Sequence, residues 1–148
     1  MLNKTLITLF KRDLNRLKSE IESYQNESNI WLIEANILNS AGNLSLHLIG
    51  NLNTYIGGVL GKTDYIRNRP LEFSLKNIPQ KELIIKIEET IVVIEESLKR
   101  ITQNELDAEF PLLVLEEKTS TAFLLVHLAT HLAYHLGQVN YHRRLLDK

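Results

Sequence analysis

Apolar residues recur at spacings of three and four along four long segments, and this period constrains the fold more than any other feature. The segments are Asn3–Tyr24, Ser40–Leu60, Gln80–Thr102, and one that begins at Thr119, Ser120 or Thr121 and runs nearly to the last residue. A period near 3.6 is that of an amphipathic α-helix, and no segment argues convincingly for a sheet. The sequence therefore predicts an all-α protein.

The connections between these segments predict the topology. Residues Lys62–Pro79 are mostly polar and are more numerous than the few residues that usually join neighbouring bundle helices. We expect this connection to be a crossover or a wall of a site, although a solvated loop is the simpler interpretation of its Arg67 and Arg69. Leu112–Leu115 is expected to form a short extended piece. The length suits one domain, 1–148, folded as a four-helix bundle with long crossover connections.

Charge and composition exclude several functions. The net charge is −1, so no strong basic field is available for a nucleic-acid backbone. Cysteine is absent, which excludes disulfides, thiolate ligands and a cysteine nucleophile, so a metal would need nitrogen or oxygen ligands. Residues Met1–Lys18 lack the apolar run of a signal peptide, and no stretch approaches the roughly 18–20 apolar residues of a membrane span. We expect a cytoplasmic protein with no membrane contact.

Four of the five histidines lie in the last helical segment. On a helix, His127, His131, His135 and His142 share one face with Gln138, within an arc of roughly 80°. Imidazoles four residues apart stand one turn above each other, close enough to share a metal ion.

The fifth histidine, His47, lies on a small polar face of the second helical segment. If the two helices pack together, His47 could meet His131 and His135, and three neutral imidazoles would leave a bound ion at least one open position. The alternatives remain open at this point. His47 could be a hydrogen-bonded core residue, and His142 could be solvated near the negative end of its helix.

Two motifs resemble those of a known superfamily. Residues 131–138 read HLAYHLGQ, which resembles the HxxxHxGQ signature of the DinB/YfiT-like superfamily, and Asn43 to Asn51, NLSLHLIGN, is similar to its second-helix motif. The resemblance implies a four-helix bundle with a crossover, often a homodimer, that binds a divalent metal. By position, the implied ligands are His47, His131 and His135.

The resemblance also implies partners for the metal site. Asn43, Asn51 and Gln138 are the candidates to accept the second ring N–H of a ligand imidazole, while His127 and His142 fall outside the motif and are assigned supporting or structural roles. Zinc is the metal expected, with nickel or iron as alternatives.

Characterised members of the superfamily that the chain resembles include bacillithiol and mycothiol S-transferases and a thiol-dependent isomerase. The implied function is therefore a metal-dependent transfer of a low-molecular-weight thiol to a small-molecule substrate. No carboxylate stands beside the histidines in the sequence, so the residues do not identify a general base. The alternative is a non-catalytic bundle that binds a metal or small ligand for sensing, or has a structural role only.

Overall fold

The computed structural model describes residues 1–148, and every regular element longer than an isolated bridge is helical. The helices are α1 (Leu2–Glu22), a 3₁₀ helix (Glu27–Trp31), α2 (Ala41–Leu52), a π-helix (Asn53–Leu60), α3 (Arg69–Ser74), α4 (Gln80–Lys99), α5 (Gln103–Asp107) and α6 (Thr121–Leu146). The prediction of an all-α bundle is confirmed. None of these helices is long and apolar enough to cross a membrane.

Four of the helices form the bundle, with α1 and α2 at opposite corners. Helix α1 packs mainly against α4 and α6, and α2 also packs against α4 and α6. Successive long helices therefore lie diagonally from α1 to α2 and from α4 to α6. Such diagonal steps require long connections, which explains the lengths of segments 23–40 and 100–120; the connection from α2 to α4 joins neighbouring helices.

Buried apolar side chains from all four helices form one continuous core of 27 residues. The stripe of α1 lies entirely inside it, with Phe10, Leu14, Leu17 and Ile21 fully buried. Burying a side chain of this size stabilises the fold by about 1.5–3 kcal/mol. The apolar period of the sequence therefore corresponds directly to the core.

Helix α2 is buried along its whole length. It begins after Ser40, whose hydroxyl oxygen accepts a hydrogen bond from the backbone N–H of Asn43 at 3.1 Å. The predicted continuous helix Ser40–Leu60 is instead α-helical only to Leu52 and continues as the π-helix. Helix α6 begins after Ser120, which caps it in the same way through the N–H of Phe123.

One predicted segment differs from the structure, and the long connection takes one of its two expected forms. The stretch Leu112–Leu115 contains no strand; the chain makes a single isolated antiparallel bridge nearby, between Glu109 and Ser120. The connection Lys62–Pro79 contains the short helix α3, which packs on α2. It is therefore a wall beside α2 rather than a plain solvated loop.

Candidate metal centre

Three histidines from two helices meet between α2 and α6. His47 Nε2 lies 3.3 Å from His131 Nε2, and His135 Nε2 lies 3.1 Å from the same atom. All three ligand atoms lie within 4.8 Å of one another, and this is the one group of potential metal-ligating side chains in the chain. The structure thus brings His47, His131 and His135 together.

The spacing of these nitrogens suits a small divalent ion. Ligands held tetrahedrally at zinc–nitrogen distances of about 2.0–2.1 Å stand about 3.3 Å apart. Two of the three nitrogen–nitrogen distances, 3.1 and 3.3 Å, already match this value. Because only three side chains converge, an ion held there would keep at least one position for another molecule.

Hydrogen bonds at the far side of two rings determine which nitrogen carries the proton. His47 Nδ1 lies 3.1 Å from Glu72 Oε1, and His135 Nδ1 lies 2.7 Å from Gln138 Oε1. Both oxygens can only accept, so each Nδ1 donates and each Nε2 presents a lone pair to the centre. Lone pairs directed at one point repel unless a cation or a proton lies between them. This is the arrangement expected of metal-binding histidines.

The carboxylate that holds His47 belongs to a buried ion pair on the wall formed by the 62–79 connection. Glu72 is only 6% exposed, and Arg67 binds both of its oxygens, through Nε at 2.9 Å and Nη2 at 3.0 Å. Such a bidentate pair fixes the carboxylate in direction as well as in charge. Glu72 is therefore held in place to orient His47.

A glycine in α2 allows Glu72 to approach. A Cβ atom on Gly50 would lie 1.8 Å from Glu72 Oε2, so no other residue leaves room for the carboxylate. One turn before His47, Asn43 donates through Nδ2 to the backbone oxygens of Glu72 at 3.0 Å and Leu75 at 2.8 Å. Asn43 thus anchors α3 on α2 and acts on His47 only through Glu72.

Of the two other residues predicted to support the site, Gln138 contacts a ligand imidazole and Asn51 does not. The imidazole that Gln138 contacts is that of His135, as described above. Asn51 is buried next to Gly50, and its Oδ1 accepts no hydrogen bond, so it does not hold an imidazole in this arrangement. His131 Nδ1 is likewise buried without a partner.

Burial favours the neutral form of two of the clustered imidazoles, His131 and His47. It lowers the pKa of His131 to about 4, with a smaller contribution from the neighbouring His135. Burial also lowers the pKa of His47, although the hydrogen bond that His47 donates to Glu72 opposes the change. Neutral imidazoles are the form that binds a metal, so no protons have to leave these two rings near pH 7.

The two histidines outside the motif do not belong to the cluster. The ring of His127 stacks on that of His131 with centroids 6.2 Å apart and is not part of the cluster. His142 is 4% exposed; its Nε2 donates to Leu32 O at 2.9 Å, and its Nδ1 accepts from the hydroxyl of Tyr24 at 2.6 Å. His142 is thus a structural core residue, and the alternative of a solvated side chain is wrong.

Sequence reasoning missed Glu72 and Arg67, and it favoured a solvated loop for Arg67. The signals that could have identified them are indirect. Gly50 stands three residues after His47 in a buried helix, where a glycine costs up to about 1 kcal/mol relative to alanine and so indicates a close approach. Glu72 lies between two apolar residues of the connection, Leu71 and Phe73.

An open cavity adjoins the cluster on the side of His135. It has a volume of about 530 Å³, and its lining includes His135, Gln138 and Tyr134 of α6 and Leu44 of α2. Neither Arg67 nor Glu72 lines it. The histidine cluster thus has a buried side, closed by the ion pair, and an accessible side.

The fold and the cluster define the chain as an all-α bundle protein with a candidate three-histidine metal centre. Residues 3–148 match the family model DUF1572, described as a protein of unknown function, and the chain belongs to that family. A comparison with curated proteins returns no match.

Proposed function

We propose that this chain is a metal-dependent enzyme of the DinB/YfiT-like type, which transfers a low-molecular-weight thiol to a small electrophilic molecule. Its metal ligands in this proposal are His47, His131 and His135. The observation that carries the proposal is the convergence of three Nε2 atoms, two of them held as lone-pair donors by Glu72 and Gln138. The two sequence motifs support the superfamily assignment.

The chemistry follows from a thiol's need to lose its proton. A divalent ion, zinc first and nickel or iron as alternatives, supplies a Lewis acid that lowers the pKa of a thiol or water next to it. In the transfer, the thiol proton passes to solvent and the sulfur lone pair forms a bond to the acceptor carbon. The bond from that carbon to its leaving group breaks, and the leaving group departs with the electron pair.

The residues around the cluster orient and shield rather than exchange protons. Glu72 receives three hydrogen bonds, two from Arg67 and one from His47, and it is buried away from the cavity. It is therefore a positioning residue and not a general base. Gln138 fixes the ring of His135 at the edge of the cavity, where a substrate would arrive.

The alternative, a non-catalytic bundle that binds a metal or a small ligand, predicts a different centre. A purely structural metal site is normally closed by four protein ligands. Here only three side chains converge, and a cavity adjoins one of them. These two observations favour the enzyme. The homodimer expected from the resemblance remains part of the proposal, and sedimentation velocity would distinguish one chain from two.

The first experiment is the metal content of the full chain purified without a histidine tag. We expect about one equivalent of metal in the wild type, none in His131→Ala, and an unchanged content in His127→Ala, the matched control one turn away. An absence of metal in the wild type after reconstitution with zinc, nickel or iron would contradict the proposal. So would full retention by His131→Ala.

The second experiment tests turnover. The metal-loaded protein is given bacillithiol, mycothiol or glutathione together with 1-chloro-2,4-dinitrobenzene, and thioether formation is followed by absorbance. Thioether formed by the wild type and not by His131→Ala supports the transferase. One equivalent of bound metal with no thioether from any thiol favours the non-catalytic alternative.

A further inference from the structure

The cavity beside His135 has walls of a distinct chemical character. Six of its lining residues are apolar or aromatic: Ile37, Leu38, Leu44, Tyr134, Tyr141 and Leu145. No aspartate, glutamate, lysine or arginine lines it. Its volume of about 530 Å³ falls within the range of roughly 300–1,000 Å³ that is usual for small-molecule sites.

Its mouth exposes large apolar and aromatic side chains, and Arg144 lies over one of them, the ring of Tyr141, at 5.3 Å from the ring centroid. Tyr134 is 66% exposed, Tyr141 63% and Leu38 86%. Side chains of this size scattered singly over a surface need no explanation, but here they surround one cavity next to the histidine cluster. Amide groups of Asn36, Asn39 and Gln138 add hydrogen-bonding groups to the same lining.

We infer that this cavity binds the electrophilic acceptor, and that the acceptor is an uncharged molecule with an aromatic or aliphatic body. The role as acceptor rests on the proposed function, whereas the binding of such a molecule does not. The flat faces of Tyr134 and Tyr141 provide the contact area, and the amides orient the polar end of the molecule. His135 brings the bound molecule next to the converging nitrogens.

Because no acidic or basic side chain lines the cavity, we expect it to prefer uncharged ligands to anionic ones. In the metal-free protein, a carboxylate or phosphate entering the cavity would lose water without gaining a cationic partner from its lining, and burial of an unpaired charge is costly. Two arginines lie close to the site, and neither is part of the cavity lining: Arg67 is already bound to Glu72, and Arg144 lies over the ring of Tyr141. An uncharged ligand meets no such cost, so the cavity selects by charge.

The test compares two ligands that differ by one negative charge, 2-naphthamide and 2-naphthoate, titrated by NMR against the full chain stripped of metal. We expect 2-naphthamide to bind and 2-naphthoate to bind at least about tenfold more weakly. Tyr134→Ala and Tyr141→Ala should weaken 2-naphthamide binding by about tenfold. Phe123→Ala, which removes an exposed ring of α6 outside the cavity, should leave it unchanged.

A substitution that adds a charge at the mouth of the cavity should change the affinities for the two ligands in opposite directions, which a folding defect would not do. Leu145→Lys should weaken 2-naphthamide and strengthen 2-naphthoate, because the new ammonium group pairs with the carboxylate. Equal affinities for the two ligands, an equal loss in Phe123→Ala, or no binding of either would overturn the inference. So would dissociation of a dimer in Tyr134→Ala, since a second copy of the chain would then occupy this face.

The same titration separates this inference from the proposed function. It is carried out on wild-type protein stripped of metal and on metal-loaded protein. If 2-naphthamide binds but no metal is ever retained, the cavity inference stands and the metalloenzyme proposal fails. If metal is retained but 2-naphthamide does not bind, the inference about the cavity fails alone.

Discussion

Replacement of Gly50 by alanine should perturb the candidate metal centre without changing any of its charged or ligating groups. A Cβ atom at this position would lie 1.8 Å from Glu72 Oε2 and 2.6 Å from its carboxyl carbon. Ordinary contact begins at 3.4 Å, so the carboxylate oxygen has to move by about 1.6 Å. Helix α2 is buried along its length and cannot shift away, so the side chain of Glu72 must move.

The size of the effect follows from what that movement breaks. Both hydrogen bonds from Arg67, at 2.9 and 3.0 Å, lie beyond reach once the carboxylate has moved. Disrupting a buried ion pair costs about 3–5 kcal/mol. Alanine in place of glycine in a helix offsets up to about 1 kcal/mol of this. We therefore expect the free energy of unfolding to fall by about 2–4 kcal/mol.

Urea unfolding followed by circular dichroism measures this change, and Gly137→Ala is the matched control. Gly137 also lies inside a helix, but a Cβ there meets nothing within 4 Å, so alanine should raise the free energy of unfolding by about 0.5–1 kcal/mol. The two substitutions should thus have opposite signs. If Gly50→Ala is as stabilising as Gly137→Ala, the reasoning about the ion pair is refuted.

Two further predictions concern the same site and the core. Glu72→Gln should weaken metal binding by about 10–100-fold, measured in competition with a chelator, because the charge that orients His47 is lost. The control Glu88→Gln, at an exposed position, should have no effect. Equal losses of metal affinity in the two variants would contradict the role of Glu72. Burial lowers the pKa of His142 below the 6.5 of an unfolded histidine, so its stabilising contribution is complete above pH 6.5 and is lost as the pH falls below that value. Wild-type unfolding free energy should therefore fall more steeply on acidification than that of His142→Gln, and parallel curves would argue against a buried neutral ring.

Much of the fold could be predicted because the apolar period is a local property of the chain. The stripe from Leu6 to Ile21 is visible in the sequence and is buried in the structure. The change from α- to π-helix after Leu52 has no such signature, because it alters the hydrogen bonding without altering which residues are apolar. The extended piece at Leu112–Leu115 was wrongly predicted because a strand needs a partner, and none lies beside it.

The candidate site was predictable only in part. His131 and His135 are visible because helical spacing alone places them on one face. The meeting with His47 needed a motif, since the two helices are far apart in sequence. Glu72 and Arg67 could not be found by spacing, because they reach His47 from a connection whose course is decided by Asn43 and Gly50 through tertiary contacts.

The contact between His47 and His131 joins positions 84 residues apart. In an unfolded chain these imidazoles are rarely near each other, so a ligand that needs all three binds the native state alone. Such a ligand at a hundred times its dissociation constant would stabilise the fold by about 2.7 kcal/mol. A ligand bound to the three histidines would thus hold distant parts of the chain together, and its occupancy would determine how often the bundle unfolds.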